Sequence, residues 1–299
     1  MLAGCGSGAP DKPVSPPVVV TPPAPPPMLP PPEYRAFGAA QPVTITGYDG
    51  DAMESFLFKD GTTLFFNNRN DPAIDTNLFY ATRIDDLSYR FEGEVAGANG
   101  PKLDAVASLD ANGRFVFVST RSYETSRSTL YIADYSAGRV SEPVLIDGVS
   151  LMQPGMVNFD AEISADGRSL WFDDGRFDGG SVPATASIVV AERAASGFVR
   201  LTGSGAMLAQ VNASGLNYAP CISADGLELF FTRIDPSLPV ATPAIFRSVR
   251  TSVNAAFGSP QRVVAAAGFV EAPTLSADGR LLIFHRLDGG RYSLFHILR

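Results

Sequence analysis

Two sets of polar residues recur through this chain, and their types suit hydrogen bonding and proton transfer. Glu54, Asp104, Asp160, Asn217 and Glu271 each stand at the start of an apolar run, and Arg69, Arg121, Arg233 and Arg286 end the run that follows, with Arg176 displaced by an insertion. Carboxylates and guanidiniums gathered around one axis have three uses. They hold one another in a lattice of charge-assisted pairs; they line a polar funnel for a ligand or a partner's tail; or two of the acids act as general acid and base on a glycosidic bond, a reaction that carboxyl groups alone can run.

Other chemistries find little to draw on. There are two histidines, too few for a three-ligand zinc site and poorly placed for a histidine-dependent nucleophile. His285 falls in a slot that other copies of the pattern fill with Asn67, Ser119, Asp173 and Thr232, a polar strand end, while His296 matches Tyr80, Ile132, Val190 and Arg247. No Gly-x-Ser-x-Gly elbow occurs. Asp173, Asp174 and Asp178 lie among glycines but lack the spacing of a twelve-residue calcium loop and read as a solvated loop. No metal and no cofactor is expected. A net charge of −8 without a basic stripe argues against a nucleic-acid partner. No apolar run reaches the roughly 18 residues of a membrane span, so any membrane attachment is peripheral or covalent. Cys221, in the apolar stretch Ala219-Pro220-Cys221-Ile222, reads as a buried thiol. It is not expected to bridge Cys5, which lies far off beyond a long linker.

The elements that must position these residues come from an internal repeat. Phe58-Lys59-Asp60-Gly61, Asp110-Ala111-Asn112-Gly113, Ser164-Ala165-Asp166-Gly167, Ser223-Ala224-Asp225-Gly226 and Ser276-Ala277-Asp278-Gly279 place turn glycines 52, 54, 59 and 53 residues apart. Asp-Gly and Asn-Gly between apolar runs signal hairpins, here read as type I′ turns. Each turn is followed by a strand apolar on both faces, such as Leu170-Trp171-Phe172, then by a third strand, such as Ile188-Val189-Val190-Ala191. A fourth, more polar strand follows four of the copies. The last copy lacks one, and residues 42–46 ahead of the first copy supply it, closing a ring and covering its edges. The expected fold is all-β: a five-bladed β-propeller of four-stranded antiparallel blades over residues 37–299.

Residues 1–36 form the other expected domain. Leu2-Ala3-Gly4-Cys5 resembles the lipobox of bacterial lipoproteins, although only four residues precede Cys5 and a signal peptide needs an apolar region of about 7 to 15 residues. The expectation is that the true start lies upstream and that Cys5 is lipidated. The proline-dense run that follows favours extended polyproline II at about 3.1 Å per residue, a disordered tether reaching roughly 80 Å.

Glu271-Ala272-Pro273-Thr274-Leu275-Ser276-Ala277-Asp278-Gly279 and its partner Tyr218-Ala219-Pro220-Cys221-Ile222-Ser223-Ala224-Asp225-Gly226 resemble the WD-like propeller repeats of TolB-type proteins. The resemblance covers about residues 37–299 and implies the propeller fold, but TolB-type propellers usually have six blades and a separate N-terminal domain. The functional expectation is an exported, lipid-anchored, monomeric module of the cell envelope that binds a protein or a glycan through its loop face without catalysis. The alternative is a five-bladed glycoside hydrolase using axial carboxylates.

Overall fold

A computed structural model of the protein describes residues 36–70, 75–180, 182–235, 237 and 241–299. Cys5 and nearly all of the expected tether lie outside the described residues. The described chain forms five antiparallel sheets arranged as the blades of a propeller. Blade 1 runs from its innermost strand Met53–Leu57 through Thr63–Asn67 and Leu78–Arg83 to Ser88–Glu94. Blade 2 is Asp104–Leu109, Arg114–Ser119 and Leu130–Ser136, whose outer edge is shared by Arg139–Val140 and Val144–Leu145. Blade 3 is Met156–Ile163, Ser169–Arg176, Thr185–Ala194 and Gly197–Arg200; blade 4 is Leu216–Ile222, Glu228–Ile234, Ala244–Val249 and Gln261–Arg262. Blade 5 is Phe269–Leu275, Leu281–Asp288 and Arg291–Leu298, completed by Gln41–Pro42 from the other end of the chain.

The N-terminal segment closes the ring differently from the expected single strand at 42–46. Gln41–Pro42 pairs antiparallel with Arg291–Leu298, and the Val43 N–H extends that pairing to the Leu294 carbonyl at 2.8 Å. Thr44–Thr46 then leaves blade 5 and pairs parallel with the outer strand of blade 1. One short segment therefore straps two blades together, and blades 1 and 2 each have five strands rather than four. Apolar side chains from facing sheets fill the spaces between blades; Leu57, Leu64 and Phe66 of blade 1, for example, pack with Leu281, Ile283 and Leu294 of blade 5.

The hairpins form where expected but are not type I′ turns. In each only the glycine has positive φ: Gly61, Gly113, Gly167, Gly226 and Gly279 lie between 70° and 82°. The Asp or Asn before it stays in the ordinary region, and Asp166, Asp225 and Asp278 instead accept the N–H of the residue two positions on at 3.0–3.1 Å. The turn thus closes on a left-handed glycine, a conformation costing least without a Cβ. The blade 2 hairpin is one residue shorter: Asp110 bonds back to Arg114, whereas Ser164 bonds to Ser169. Val118, not Ser119, therefore takes the register position of Asn67, Asp173, Thr232 and His285.

A feature without a common residue type organises the axis. Every innermost strand carries a bulge with one left-handed, non-glycine residue: Glu54, Val106, Asp160, Ala219 and Ala272, with φ of 48–55°. Each lies seven residues before its turn glycine. At four blade interfaces its N–H donates to a polar side chain on the second strand of the preceding blade: Glu54 to His285 Nδ1 at 3.0 Å, Val106 to Asn67 Oδ1 at 3.1 Å, Ala219 to Asp173 Oδ2 at 2.9 Å and Ala272 to Thr232 Oγ1 at 3.0 Å. At the remaining interface Val118 faces Asp160. Each clasp is worth about 1 kcal/mol net, and together they help offset five strained residues at about 1–3 kcal/mol each.

Candidate functional site at the axial channel

The bulge decides which acids reach the axis. Its five left-handed residues line a small cavity on the propeller axis, together with Ser55, Phe56 and the residues that follow each bulge. Of the five bulge residues only Glu54 and Asp160 are acids, and Glu162, two positions after Asp160, is the third acid in the lining. The cavity measures about 30 Å³, the room of one water molecule. Below it, toward the hairpins, Lys59 of blade 1 reaches across to stand 3.5 Å from Glu162 of blade 3 and donates to the Leu275 carbonyl of blade 5 at 3.1 Å. Burial opposes the charge on Lys59, but the carboxylate beside it prevails and holds the ammonium protonated.

Glu271 lies one position before its bulge and so sits beside the axis. Its carboxylate accepts from the Tyr218 hydroxyl of blade 4 and lies 3.2 Å from His285 Nε2. Because His285 Nδ1 accepts the Glu54 N–H, the ring proton of a neutral His285 belongs on Nε2, pointing at Glu271. Glu54 Oε1 receives the Asn70 amide at 2.8 Å, while Oε2 is buried without a hydrogen-bond partner among the described residues. Burial pushes the Glu54 carboxyl upward, with Glu271 adding to it; burial and then the charges of Glu54 and Glu271 push Asp160 well above the ordinary carboxylate range. Asp173, fully buried beside Asp160, is raised for the same reasons, and burial followed by Glu271 raises the Tyr218 phenol well above its usual value.

Aromatic rings flank this acid group. Phe177, Phe159 and Tyr218 follow one another at centroid separations of 5.9 and 6.0 Å. On the other side His285 meets Tyr292 at 5.4 Å and Tyr292 meets Phe269 at 6.4 Å, with Arg69 over the Tyr292 ring at 5.1 Å. Phe159, Phe177, Phe269 and Tyr292 keep part of their surface exposed.

The alternating ring of acids and arginines does not form. Asp104 and Asn217 lie two positions before their bulges and turn into their own blades. Buried Asp104 accepts from Arg121 at 2.6 Å and from the Gly100 N–H at 2.6 Å, and Asn217 accepts from Arg233 Nε at 2.7 Å. Arg69 pairs with Asp51 at 2.9 Å and donates to the Gly290 carbonyl, and Arg286 pairs with Asp288 at 3.0 Å while stacking on Phe295. These six residues are engaged in contacts within the fold, whereas Glu54, Asp160 and Glu271 stand at or beside the axis. Sequence reasoning missed Tyr218 and Asn70, gave His285 no role, and read Asp173 and Asp174 as part of a solvated loop, whereas both lie in the strand Ser169–Arg176 and Asp173 is fully buried. Counting seven residues back from each turn glycine locates the bulge, and with it the axial acids. Among the described residues no group of His, Cys, Asp or Glu side chains is arranged to hold a metal ion.

No protein-family model matches the chain, and no curated protein matches it either. Solved structures do. The catalytic domain of the GH62 α-L-arabinofuranosidase of Coprinopsis cinerea superposes with a TM-score of 0.57 at 11% identity, over 88% of this chain and 96% of that one. The endo-arabinase of Bacteroides thetaiotaomicron gives 0.54 at 12% identity, over 86% and 96%. TolB from Acinetobacter baumannii gives 0.46 at 14% identity, over 84% of this chain but only 55% of TolB. At these identities the likeness is one of fold, and the chain is a five-bladed β-propeller.

Proposed function

We propose that the mouth of the axial channel is a glycan-binding site and that the chain is a recognition module rather than an enzyme. The observation that carries this reading is the pairing of aromatic faces with an oriented carboxylate. Phe159 and Phe177 on one side and Tyr292 and Phe269 on the other flank Glu271, whose oxygens are fixed by Tyr218 and His285. Sugar rings offer C–H faces to aromatic rings and hydroxyl groups to a fixed acceptor, the combination expected of an apolar-walled site with few polar groups. The enzymes named above act on arabinose-containing glycans from the same fold, which favours a glycan over a protein as ligand.

Hydrolysis is the second reading. It is favoured by Glu54 and Asp160, carboxyl groups biased toward the protonated form beside Glu271, as an acid–base pair requires. The small cavity they line has room for a water but not for a sugar ring, so recognition is preferred. Calorimetric titration with arabinan, arabinogalactan and fructan oligosaccharides separates the readings. Expected is saturable binding that Glu271→Gln and Tyr218→Phe each weaken by about tenfold or more, without release of reducing ends. Turnover abolished by Asp160→Asn or Glu271→Gln would replace recognition by hydrolysis, and the absence of binding to every glycan would remove both. We further propose a location at the cell envelope, with a lipid on Cys5 as the only membrane attachment and residues 1–36 as a spacer.

A further inference from the structure

A second site is written into the repeat of the blades, away from the axis. Four blades carry an arginine at the end of the third strand or directly after it, and its guanidinium clamps the carbonyl of its own turn glycine. Arg193 Nε donates to Gly167 O at 2.7 Å, Arg250 Nε to Gly226 O at 2.7 Å, Arg299 Nε to Gly279 O at 2.6 Å and Arg83 NH1 to Gly61 O at 3.5 Å. Arg299 shows what the rest of such a guanidinium seeks. It takes both oxygens of Glu228, the residue two positions after the turn glycine of the preceding blade, at 2.9 and 2.5 Å, and this two-point pair is almost wholly buried. The corresponding position facing Arg250 is Ser169, too short to reach and without charge. In place of the carboxylate there is a cavity of about 430 Å³ between blades 3 and 4, whose buried end is formed by Arg250, Ser169, Trp171, Leu201 and Met207 and whose exposed lining includes Arg168 and the acids Asp166, Glu192 and Asp225.

Arg250 is itself buried. Beyond Gly226 its described polar contact is the Met207 sulfur, 3.1 Å from NH1, and its plane lies near Phe257 and Trp171, with centroids at 4.6 and 5.8 Å. No carboxylate is in ion-pair contact with it among the described residues. Asp225 attracts it only from farther off, while accepting from Ser223 Oγ and the Leu227 N–H of its own turn. A largely buried guanidinium with no carboxylate in ion-pair contact has capacity left for one, and a cavity of this volume is of small-ligand size. We propose that this cavity binds a small organic carboxylate with an aromatic or branched aliphatic body, the carboxylate meeting Arg250 as Glu228 meets Arg299 and the body lying against Trp171, Leu201 and Met207. The inference is independent of the glycan site, which lies on the axis.

Trp171 is the chain's only tryptophan, so its emission reports on this cavity directly. The test titrates the full chain with phenylacetate and 4-phenylbutyrate, and in parallel with their uncharged amides, following Trp171 fluorescence and heat. Expected is a saturable change with the acids and binding of the amides weaker by about tenfold or more. Ser169→Glu copies Glu228 into the blade 3 position; it is expected to melt at or above the parent temperature and to lose acid binding by about tenfold or more. Amides that bind as well as acids overturn the proposal. So does retained acid binding in a folded Ser169→Glu variant, or no response to either acid up to about 10 mM. The acid-to-amide comparison is made on the unaltered chain and stands whether or not the variant folds.

Discussion

Asp160 occupies a position that asks two things of one residue: a left-handed backbone and a carboxyl group enclosed beside two others. Val118 takes the register position from which the other interfaces offer a polar clasp to the bulge amide, so the Asp160 amide has no such partner on blade 2. A carboxyl whose pKa is raised by folding leaves stability intact below the ordinary carboxylate range. It then erodes stability as the pH climbs from that range through the raised value, because ionisation inside the fold is dearer than in the unfolded chain. Asp160→Asn removes the ionisation and keeps the shape. The variant should match the parent in thermal melts at about pH 4 and exceed it by on the order of 1 kcal/mol at about pH 8. A parent and variant with identical pH profiles would mean that the group ionises without cost. Glu54 and Asp173 are raised in the same direction, so the Asn variant should flatten the profile rather than abolish its slope.

In blades 2 and 4 the innermost strand is tied at its loop end by an arginine that follows the second strand or ends it. Arg121 is the tightest case: it pairs with fully buried Asp104, donates to the Ala98 carbonyl, and lies over the rings of Phe117 and Tyr131 at 5.3 and 5.2 Å. Arg121→Ala strands that carboxylate and should cost about 2–4 kcal/mol by chemical denaturation, with glycan binding unchanged once the protein is folded. Loss of binding without loss of stability would return Arg121 to a ligand funnel. The hairpins and third strands were legible in the sequence because Asp-Gly turns and doubly apolar runs carry their own signals. The bulge was not, since Glu54, Val106, Asp160, Ala219 and Ala272 share a backbone conformation and no side-chain property. Choosing the nearest polar residue instead grouped Asp104, Asn217 and Glu271 with Glu54 and Asp160, although an offset of one or two residues along a strand sends a side chain elsewhere. The pairing of Tyr218 with Glu271 joins neighbouring blades 53 residues apart, a contact that only the closed ring creates.

For the molecule as a whole, the proposed lipid attachment predicts that an alkyne fatty acid fed to producing cells labels the chain and that Cys5→Ala abolishes the label while leaving the propeller's melting temperature unchanged. A labelled Cys5→Ala variant, or an unlabelled parent, would separate the propeller from the proposed anchor. The ring itself depends on the strap at residues 41–46, which belongs to two blades at once, and on the last residue, Arg299, which reaches back to Glu228 of blade 4. Blade 5 is the one blade that joins a strand at 41–42 to strands within 269–298. During synthesis, blades 1 to 4 can each pair their own strands as they emerge, yet the apolar flank that blade 1 turns toward blade 5 is covered only once the strands at 281–298 are made. The pairing of Gln41 with His296 in blade 5 spans the largest sequence separation of any strand pair among the described residues, the kind of contact expected to form late. Until the last strand arrives, the nascent chain carries an open arc whose end blades are its most aggregation-prone surfaces.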